Sequence, residues 1–240
     1  MRKSELTREK QRLLWEAVMI RLEKICYAYE KEVALRYVNL QVEKGDSLVI
    51  QGPNGCGKST LIKLLNGILF PSEGSYHFQG HEITEKALKN NQFAKWFHQQ
   101  MGYVFQNADT QLFCGSVEEE IAFGPIQMGL SETEVKKRVE DCLHLFGIEK
   151  LRKRPPYHLS GGEKRKVSLA CILSLNPEVL ILDEPLAGLD EKTQDLLIGF
   201  LKSFHNAGKT LITITHNKEL ASTLGTKFAY MNEEHELEMR

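Results

Sequence analysis

Hydrophobic and polar positions follow two different periods along the chain, and the changes between them predict its elements. From Met19, the stretch MIRLEKICYAYE alternates and predicts a strand. VNLQVEKGDSLVIQG then contains two alternating runs separated by a turn at residues 44–46. A helix is predicted after the next glycine-rich loop by apolar residues that recur at helical spacing: Leu61, Leu64, Leu65 and Ile68.

The middle of the chain changes from turn-rich sequence to helical sequence. Residues 71–100 contain Pro, Gly and His with short alternating pieces, and predict a small antiparallel hairpin region. Residues 131–147 predict a helix that begins with a capping box of Ser131 and Glu134 and ends at Gly147. Its predicted buried stripe consists of Val135, Val139, Cys142, Leu143 and Phe146.

The last third alternates helices with strands that are apolar throughout. A helix is predicted from Gly162 to a point before Pro177, and VLIL at 179–182 predicts a strand buried on both faces. A helix over 191–206 precedes the buried strand TLITIT at 210–215. The apolar face of that helix is predicted to carry Leu196, Leu197, Phe200, Leu201 and Phe204. This order predicts a parallel α/β sheet with an antiparallel part near the start and a helical insert at about 117–160.

Composition and charge restrict the class of protein. The 240 residues carry a formal net charge of −1, which gives no general basic field for binding nucleic acid. Five cysteines without a C-x-x-C pair favour reduced thiols in the cytoplasm. No apolar run reaches the length of a membrane span, and the N-terminus lacks the pattern of a secretory signal. We expect one domain over 19–240, preceded by a charged extension over 1–18 that is a peripheral helical arm, unless Met19 is the true start.

The glycine-rich loop GPNGCGKST fits the pattern G-x-x-x-x-G-K-[ST] between a predicted strand and a predicted helix. Its glycines let backbone N–H groups surround phosphate oxygens at the start of a helix. Lys58 is predicted to neutralise the β- and γ-phosphates and Ser59 to bind Mg²⁺. The predicted phosphate-binding residues are Gly52, Pro53, Asn54, Gly55, Cys56, Gly57, Lys58, Ser59 and Thr60.

Two carboxylates follow the buried strand VLIL. Asp183 ends this strand, which predicts a place in the metal shell, and Glu184 is suited to polarise the attacking water. Asp-Glu-Pro after an apolar strand is also compatible with a simple turn.

A second anion-binding helix start is predicted at LSGGE. Ser160, Gly161 and Gly162 precede a helix, so their N–H groups and hydroxyl can receive a phosphate. With GPNGCGKST, LILDEP, AGLD and the histidine after ITIT, this run resembles the ATP-binding cassette ATPases over residues 19–231. The resemblance implies a P-loop α/β fold with a mixed core sheet flanked by helices, an N-terminal antiparallel β subdomain and a helical signature subdomain at about 107–160.

The resemblance also implies that two subunits, identical or different, enclose two ATP molecules with Mg²⁺ in a head-to-tail dimer. Ser160, Gly161 and Gly162 of one subunit would then face the ATP of the other. His216 would contact the γ-phosphate and Asp190 would lie at the dimer seam, although a histidine at a strand end is often structural. Glu163 stands where glutamine is commoner in the family.

Two features leave alternatives open. Tyr29 is the best match to the aromatic residue that stacks on adenine in this family, with Tyr27 as the alternative. For both tyrosines, packing within the strand is the other reading. The run Lys164–Lys166 could form a nucleic-acid patch, but we expect a solvated helix face and no nucleic-acid partner.

The stretch FQNADTQLFCGSVEEEIAFGP resembles the energy-coupling factor class, whose ATPases serve uptake of vitamins, cobalt or nickel. By the same resemblance, the amide of Gln106 would reach Mg²⁺ and orient water. The chain is therefore expected to be an ATPase at the cytoplasmic face of the membrane, powering import through separate membrane subunits. A soluble cassette ATPase of DNA repair or translation and a non-hydrolytic regulatory subunit are the alternatives.

Overall fold

The computed structural model describes residues 17–104 and 111–240. The predicted extension therefore lies almost wholly outside the described residues, as does Gln106. Contacts divide the chain into two compact units. The first unit comprises the chain up to Ala94 together with Gly208–Arg240, and the second comprises Lys95–Ala207.

The elements are numbered in chain order. The strands are β1 Val18–Tyr29, β2 Glu32–Glu43, β3 Ser47–Gln51, β4 Glu73–Phe78, β5 His81–Glu82, β6 Met101–Val104, β7 Val179–Asp183, β8 Thr210–Ile214, β9 Lys227–Met231 and β10 Leu237–Met239. The helices are α1 Lys58–Leu65, α2 Glu85–Leu88, α3 Asn91–Gln100, α4 Val117–Gln127, α5 Glu132–Phe146, α6 Gly161–Leu173, α7 Glu191–Asn206 and α8 Lys218–Leu224. Short 3₁₀ turns cover Glu149–Leu151 and Pro156–His158.

The first unit contains an antiparallel sheet with the strand order β2-β1-β4-β5. Along β2 every second residue from Val38 to Val42 is buried, as expected for a sheet with one face on the core. Its other strands β3, β8 and β9 pair in parallel, and β10 pairs antiparallel with β9. All five residues of β8 are buried, which confirms the prediction from TLITIT.

The second unit contains the parallel pair β6 and β7 with four helices of eleven residues or more. Every residue of β7 is buried, as its apolar sequence predicts. Helix α5 confirms the predicted helix: the Ser131 hydroxyl accepts from the N–H of Glu134, and Gly147 ends the helix in the left-handed region. The five residues of its predicted stripe are buried.

Three predictions of detail are wrong. Ile68 does not belong to the face of α1, because Asn66 caps the helix and Gly67 adopts a φ of 66°, which turns the chain away and leaves Ile68 exposed. Residues 85–100 form α2 and α3 instead of extending the hairpin of β4 and β5. On α7, Leu196 is exposed because it lies one residue outside the stripe of Leu197, Leu201 and Phe204.

Candidate functional site

The phosphate loop of the first unit connects β3 to α1, and two of its glycines are required by backbone packing. Gly52, Gly55 and Gly57 all have a positive φ, of 153°, 81° and 106°. A Cβ atom on Gly57 would overlap the carbonyl oxygen of Ala34, and one on Gly52 would overlap that of Met231. The β2 and β9 strands thus press on the loop, and only glycine fits at these two positions.

The start of α1 is left open by its own sequence. Gly57 precedes the helix without a side-chain cap, and the first turn contains no acidic residue. The Lys58 ammonium donates to the carbonyl oxygens of Gly52 (2.7 Å) and Pro53 (2.6 Å), so the loop itself holds this cation beside the helix start. N–H groups without a side-chain cap, the helix dipole and a fixed ammonium together favour an anion such as phosphate.

The side chain of Cys56 is turned into the protein and is 2% exposed. Its carbonyl oxygen lies 3.2 Å from the His235 ring. Its sulfur accepts from the Lys58 ammonium at 3.8 Å, so Cys56 can serve the predicted site through its backbone and by helping to hold Lys58. Thr60, in the first turn of α1, is also buried, whereas Asn54 and Gly55 are exposed at the tip of the loop.

The aromatic candidates lie at the end of the β1–β2 hairpin. Tyr27 pairs with Leu35 and Tyr29 pairs with Glu32, while the carbonyl of Ala34, between them on β2, is the group packed against Gly57. The two tyrosine rings meet edge to face at 5.0 Å. Tyr29 is 43% exposed and Tyr27 is half-buried, so Tyr29 has more free surface for a base.

His216 follows the C-terminal end of β8, as predicted. The preceding Thr215 is buried and His216 itself is exposed. The next residue, Asn217, caps α8 by accepting from the N–H of Leu220.

The acidic pair of the second unit lies at the C-terminal end of β7. Asp183 is buried, and Glu184 is half-buried with a φ of 44°, a left-handed conformation that is strained for any residue but glycine. The Arg165 guanidinium donates to the carbonyl oxygens of Asp183 (3.2 Å) and Glu184 (3.3 Å). The simple-turn alternative does not explain why a non-glycine residue holds this conformation beside a buried cation.

The start of α6 is capped by its own side chains. The Ser160 hydroxyl accepts from the N–H of Glu163, and the Glu163 carboxylate accepts from the N–H of Ser160 at 2.8 Å. These bonds lower the pKa of Glu163, chiefly through the Ser160 backbone. Among the described residues nothing lies within 4 Å of a Cβ built on Gly161, so internal packing does not require this glycine.

Asp190 caps α7 and is linked to α6. Its carboxylate accepts from the N–H and hydroxyl of Thr193 and lies 3.2 Å from the Lys166 ammonium. The bonds from Thr193, followed by that from Lys166, lower the pKa of Asp190 to about 2.

The prediction that Lys164–Lys166 form a solvated helix face is wrong. Successive helix positions point about 100° apart, so Lys164 lines a surface groove, Arg165 turns inward and is 6% exposed, and Lys166 reaches Asp190. Sequence reasoning missed the burial of Arg165 and its contacts with the acidic pair. The sequence signal for its burial was its position two residues before the buried Val167–Ala170 run, with only Lys166 between them.

No helix in the described part of the chain is both long enough and apolar enough to span a membrane. Residues 17–104 and 111–240 also contain no group of three or more His, Cys, Asp or Glu side chains that could hold a metal ion. The predicted roles of Gln106 fall outside this part of the chain and stay predictions.

Comparisons with known proteins agree on one family. The sequence profile described as ABC transporter matches residues 35–187. The nickel import ATP-binding protein LarO of Lactiplantibacillus plantarum is 46% identical over 92% of this chain and 91% of its own length. The energy-coupling factor transporter ATP-binding protein EcfA of Methanococcus maripaludis is 41% identical over 86% of this chain and 73% of its own.

Solved structures give the same result. The structure of cbiO1 from Clostridium perfringens, part of the ABC transporter complex cbiONQ, is 35% identical with a TM-score of 0.77, covering 93% of this chain and 88% of that one. The ATP-binding cassette MJ0796, solved as a dimer in a post-hydrolysis state with ADP and Pi, is 28% identical with a TM-score of 0.82 and covers 92% and 97%. The predicted fold class is confirmed, and the chain belongs to the ABC transporter family as an ATP-binding, ATP-hydrolysing cassette.

Proposed function

We propose that this chain hydrolyses Mg²⁺-ATP to drive solute import through separate membrane subunits of the energy-coupling factor type. The open start of α1 is the observation that carries the nucleotide part of this proposal. Its uncapped N–H groups and the Lys58 ammonium, fixed by two loop carbonyls, favour the β- and γ-phosphates. The relative named EcfA supports the transport part.

The residues that we assign to the metal offer hard oxygen ligands. Ser59 supplies a hydroxyl, Asp183 a carboxylate and Gln106 an amide oxygen, which suit Mg²⁺. A magnesium ion bound through few side chains and the phosphates needs no cluster of carboxylates. When bound, Mg²⁺ would neutralise charge that develops on the phosphates.

The remaining roles concern the reaction and the base. Glu184 polarises the attacking water as general base, His216 contacts the γ-phosphate and Gln106 orients the water. Tyr29 stacks on adenine, since its exposed ring lies at the end of the hairpin whose Ala34 carbonyl packs against the phosphate loop.

The start of α6 is assigned to the nucleotide of a second subunit. Gly161 leaves open space that internal packing does not use, so a phosphate can approach the backbone of Ser160, Gly161 and Gly162 closely. The dimer of the related cassette MJ0796 supports this arrangement. Asp190 would lie at the seam, where its carboxylate is already held by Thr193 and Lys166.

Turnover as a function of protein concentration tests the dimer directly. We expect the hydrolysis rate per subunit to rise with concentration and then level off, because two chains complete each site. Replacing Glu184 with Gln should abolish turnover and leave an ATP-bound dimer. A rate per subunit that is independent of concentration in a monomeric protein would refute the shared site.

A groove on the second unit is our candidate for docking a membrane subunit. It has a volume of about 370 Å³ and is lined by Leu112, Phe113, Cys114, Gly115, Pro156, Tyr157 and Lys164. Phe113 and Tyr157 are 69% and 73% exposed, and the Phe113 ring meets Phe123 edge to face at 5.0 Å. Exposed aromatic residues around a concave surface are typical of interaction sites.

The floor of this groove is held by a buried carboxylate. Glu120 accepts from the backbone N–H groups of Phe113 and Cys114, which fixes the segment that presents Phe113. Burial and the carboxylates of Glu120 and Glu119 raise the pKa of the Cys114 thiol to about 11. The backbone that presents Phe113 is therefore held by Glu120, and the groove carries a neutral thiol at physiological pH, as suits an apolar partner.

Groove variants test whether the cassette works with membrane subunits. Phe113→Ser and Tyr157→Ser should abolish copurification with subunits extracted from the membrane in detergent, and leave the hydrolysis of the isolated chain unchanged. Leu196→Ser removes an exposed apolar side chain on α7 that does not line the groove and is the matched control. Recovery of DNA or ribosomal proteins instead of membrane subunits would favour the alternative of a soluble cassette ATPase.

A further inference from the structure

Three charged side chains are buried among residues 17–104 and 111–240: Glu120, Arg165 and Asp183. Glu120 holds the groove segment and Asp183 is assigned to the metal. Arg165 has no place in the function proposed so far. A buried arginine is rare because desolvation of its charge is unfavourable, so its partners indicate what it does.

The partners of Arg165 include the carbonyl oxygens of the two acidic residues. Its Nη2 atom lies 3.2 Å from Asp183 O and 3.3 Å from Glu184 O. Glu184 O also accepts from the N–H of Ala187, which closes the turn after β7. The contacts of Arg165 thus fix the backbone that aims the Glu184 carboxylate.

The backbone of Glu184 needs such support. A φ of 44° is disfavoured for a residue with a Cβ atom, and a strained conformation persists only where its surroundings impose it. The Arg165 guanidinium donates to the carbonyls of the two peptide groups that flank the Glu184 Cα atom, and these contacts help to impose the conformation.

The local electrostatics suit a permanent cation here. Burial lowers the pKa of Arg165, and the charge of Asp183 counteracts this effect. On β6, burial and the charge of Asp183 raise the pKa of Tyr103 to about 12, and Arg165 opposes that rise. The guanidinium therefore balances the Asp183 carboxylate in a poorly solvated place.

The helix that carries Arg165 is the one that starts at Ser160. Five residues of α-helix separate the two positions, about 7.5 Å along the axis. A displacement of the helix start reaches Arg165 directly, since an α-helix transmits motion along its axis as a rigid body over this length.

We propose that Arg165 is a positioning residue that links the start of α6 to the backbone of Glu184. This inference rests on the proposed function, in which α6 receives the γ-phosphate of the ATP held by a second subunit. Docking of that phosphate sets the position of α6, and Arg165 then sets the aim of the general base on its own subunit. Each subunit thereby couples the two ATP sites of the dimer.

Arg165→Ala tests this link in the full-length protein. We expect the kcat for ATP hydrolysis to fall about tenfold to a hundredfold, because a misplacement of about 1 Å can have that effect. The KM and the affinity for ATP should change less than about twofold, since the phosphate loop is untouched. Millimolar guanidinium should restore part of the kcat by occupying the space left by the side chain.

Arg138→Ala is the matched control. Arg138 on α5 also donates to a backbone carbonyl of this unit, Ser174 O at 2.8 Å, but not to the acidic pair. Its kcat should be unchanged and should not respond to guanidinium. If Arg165→Ala keeps the kcat of the wild type, or loses kcat and ATP affinity together without rescue, Arg165 is not a positioning residue.

A second pair of variants covers the case in which Arg165→Ala does not fold. Arg165→Lys keeps a charge and a donor, and Arg165→Met keeps only the stem. At equal thermal stability, we expect Arg165→Lys to have a higher kcat than Arg165→Met. Equal kcat values for the two variants would overturn the proposal. Failure of the proposed function is distinguishable, because Glu184→Gln would then retain turnover whatever the Arg165 variants do.

Discussion

The two helix starts that we assign to phosphate groups are built in opposite ways. The start of α1 has no side-chain cap, and its glycines at 52 and 57 are required by the carbonyls of Met231 and Ala34. The start of α6 has a complete capping box of Ser160 and Glu163, and Gly161 meets nothing within 4 Å among the described residues. The start of α1 is shaped by the strands around it. The start of α6 is capped by its own side chains, and Gly161 faces open space.

The proposed function explains this difference by what each start binds. A loop that surrounds phosphates within its own chain must be pressed into shape by neighbouring strands, and its N–H groups must be left unsatisfied. A start that meets a nucleotide only after two subunits associate must be stable without it, so its own side chains satisfy the helix. Glycine is needed at the first start for folding and at the second for contact.

Gly57→Ala should have the largest effect. Overlap with the Ala34 carbonyl and the φ of 106° together predict a loss of about 3–5 kcal/mol in the free energy of unfolding. Urea denaturation measures this loss. Gly55→Ala is the control: its φ is also positive, but a Cβ there meets no atom within 4 Å in the described structure, so it should lose about 1–2 kcal/mol.

Lys58→Met should come next and act on binding. The variant loses a cation that the loop holds at the helix start, and we expect roughly a hundredfold weaker ATP binding. Isothermal titration with ATP measures it. Lys63→Met removes an exposed lysine from the last turn of the same helix and should bind ATP as the wild type does; equal weakening in both variants would show a nonspecific charge effect.

Gly161→Ala should reverse the behaviour of Gly57→Ala. The free energy of unfolding should stay within about 0.5 kcal/mol of the wild type, because the added methyl meets open space. ATP hydrolysis should fall at least about tenfold, because the methyl blocks close approach of a phosphate to the backbone. Gly199→Ala, at an open position inside α7, should leave hydrolysis unchanged. Normal turnover in Gly161→Ala would contradict the claim that the start of α6 contacts a phosphate.

Glu163→Gln should have the smallest effect and should depend on pH. The folded state lowers the pKa of Glu163, so the ionised carboxylate stabilises the fold above its usual value of 4.5. That stabilisation is lost as the pH falls below 4.5. We expect the melting temperature of the wild type to exceed that of the variant by about 1–3 °C at pH 7, and the two to converge near pH 3.

The sequence predicted the parts of the site that depend on local patterns. The loop before Lys58, the buried strand before Asp183 and the capped start at Ser160 each lie within one short motif, and each has the predicted local structure. Long-range contacts could not be predicted. Glycine is required at position 57 because the Ala34 carbonyl lies where a Cβ atom would be. The groove is lined by both Phe113 and Tyr157, which are far apart in the chain.

Arg165 shows why the remaining predictions failed. A run of three cations suggests a single charged surface. On a helix, however, three successive side chains point in three different directions. The sequence alone does not indicate which of them is buried. The helix α3 was missed for the opposite reason. Polar residues dominate Asn91–Gln100, and the buried face of that helix rests on Phe97.

The mass of the Glu184→Gln variant with ATP tests the central claim that the two starts serve different subunits. Light scattering should show a dimer for Glu184→Gln with ATP, and a monomer when Gly161→Ala is added. That monomer should still bind ATP with the affinity of the parent, because its phosphate loop is complete. A double variant that still dimerises, or that loses ATP binding as a monomer, would contradict the account.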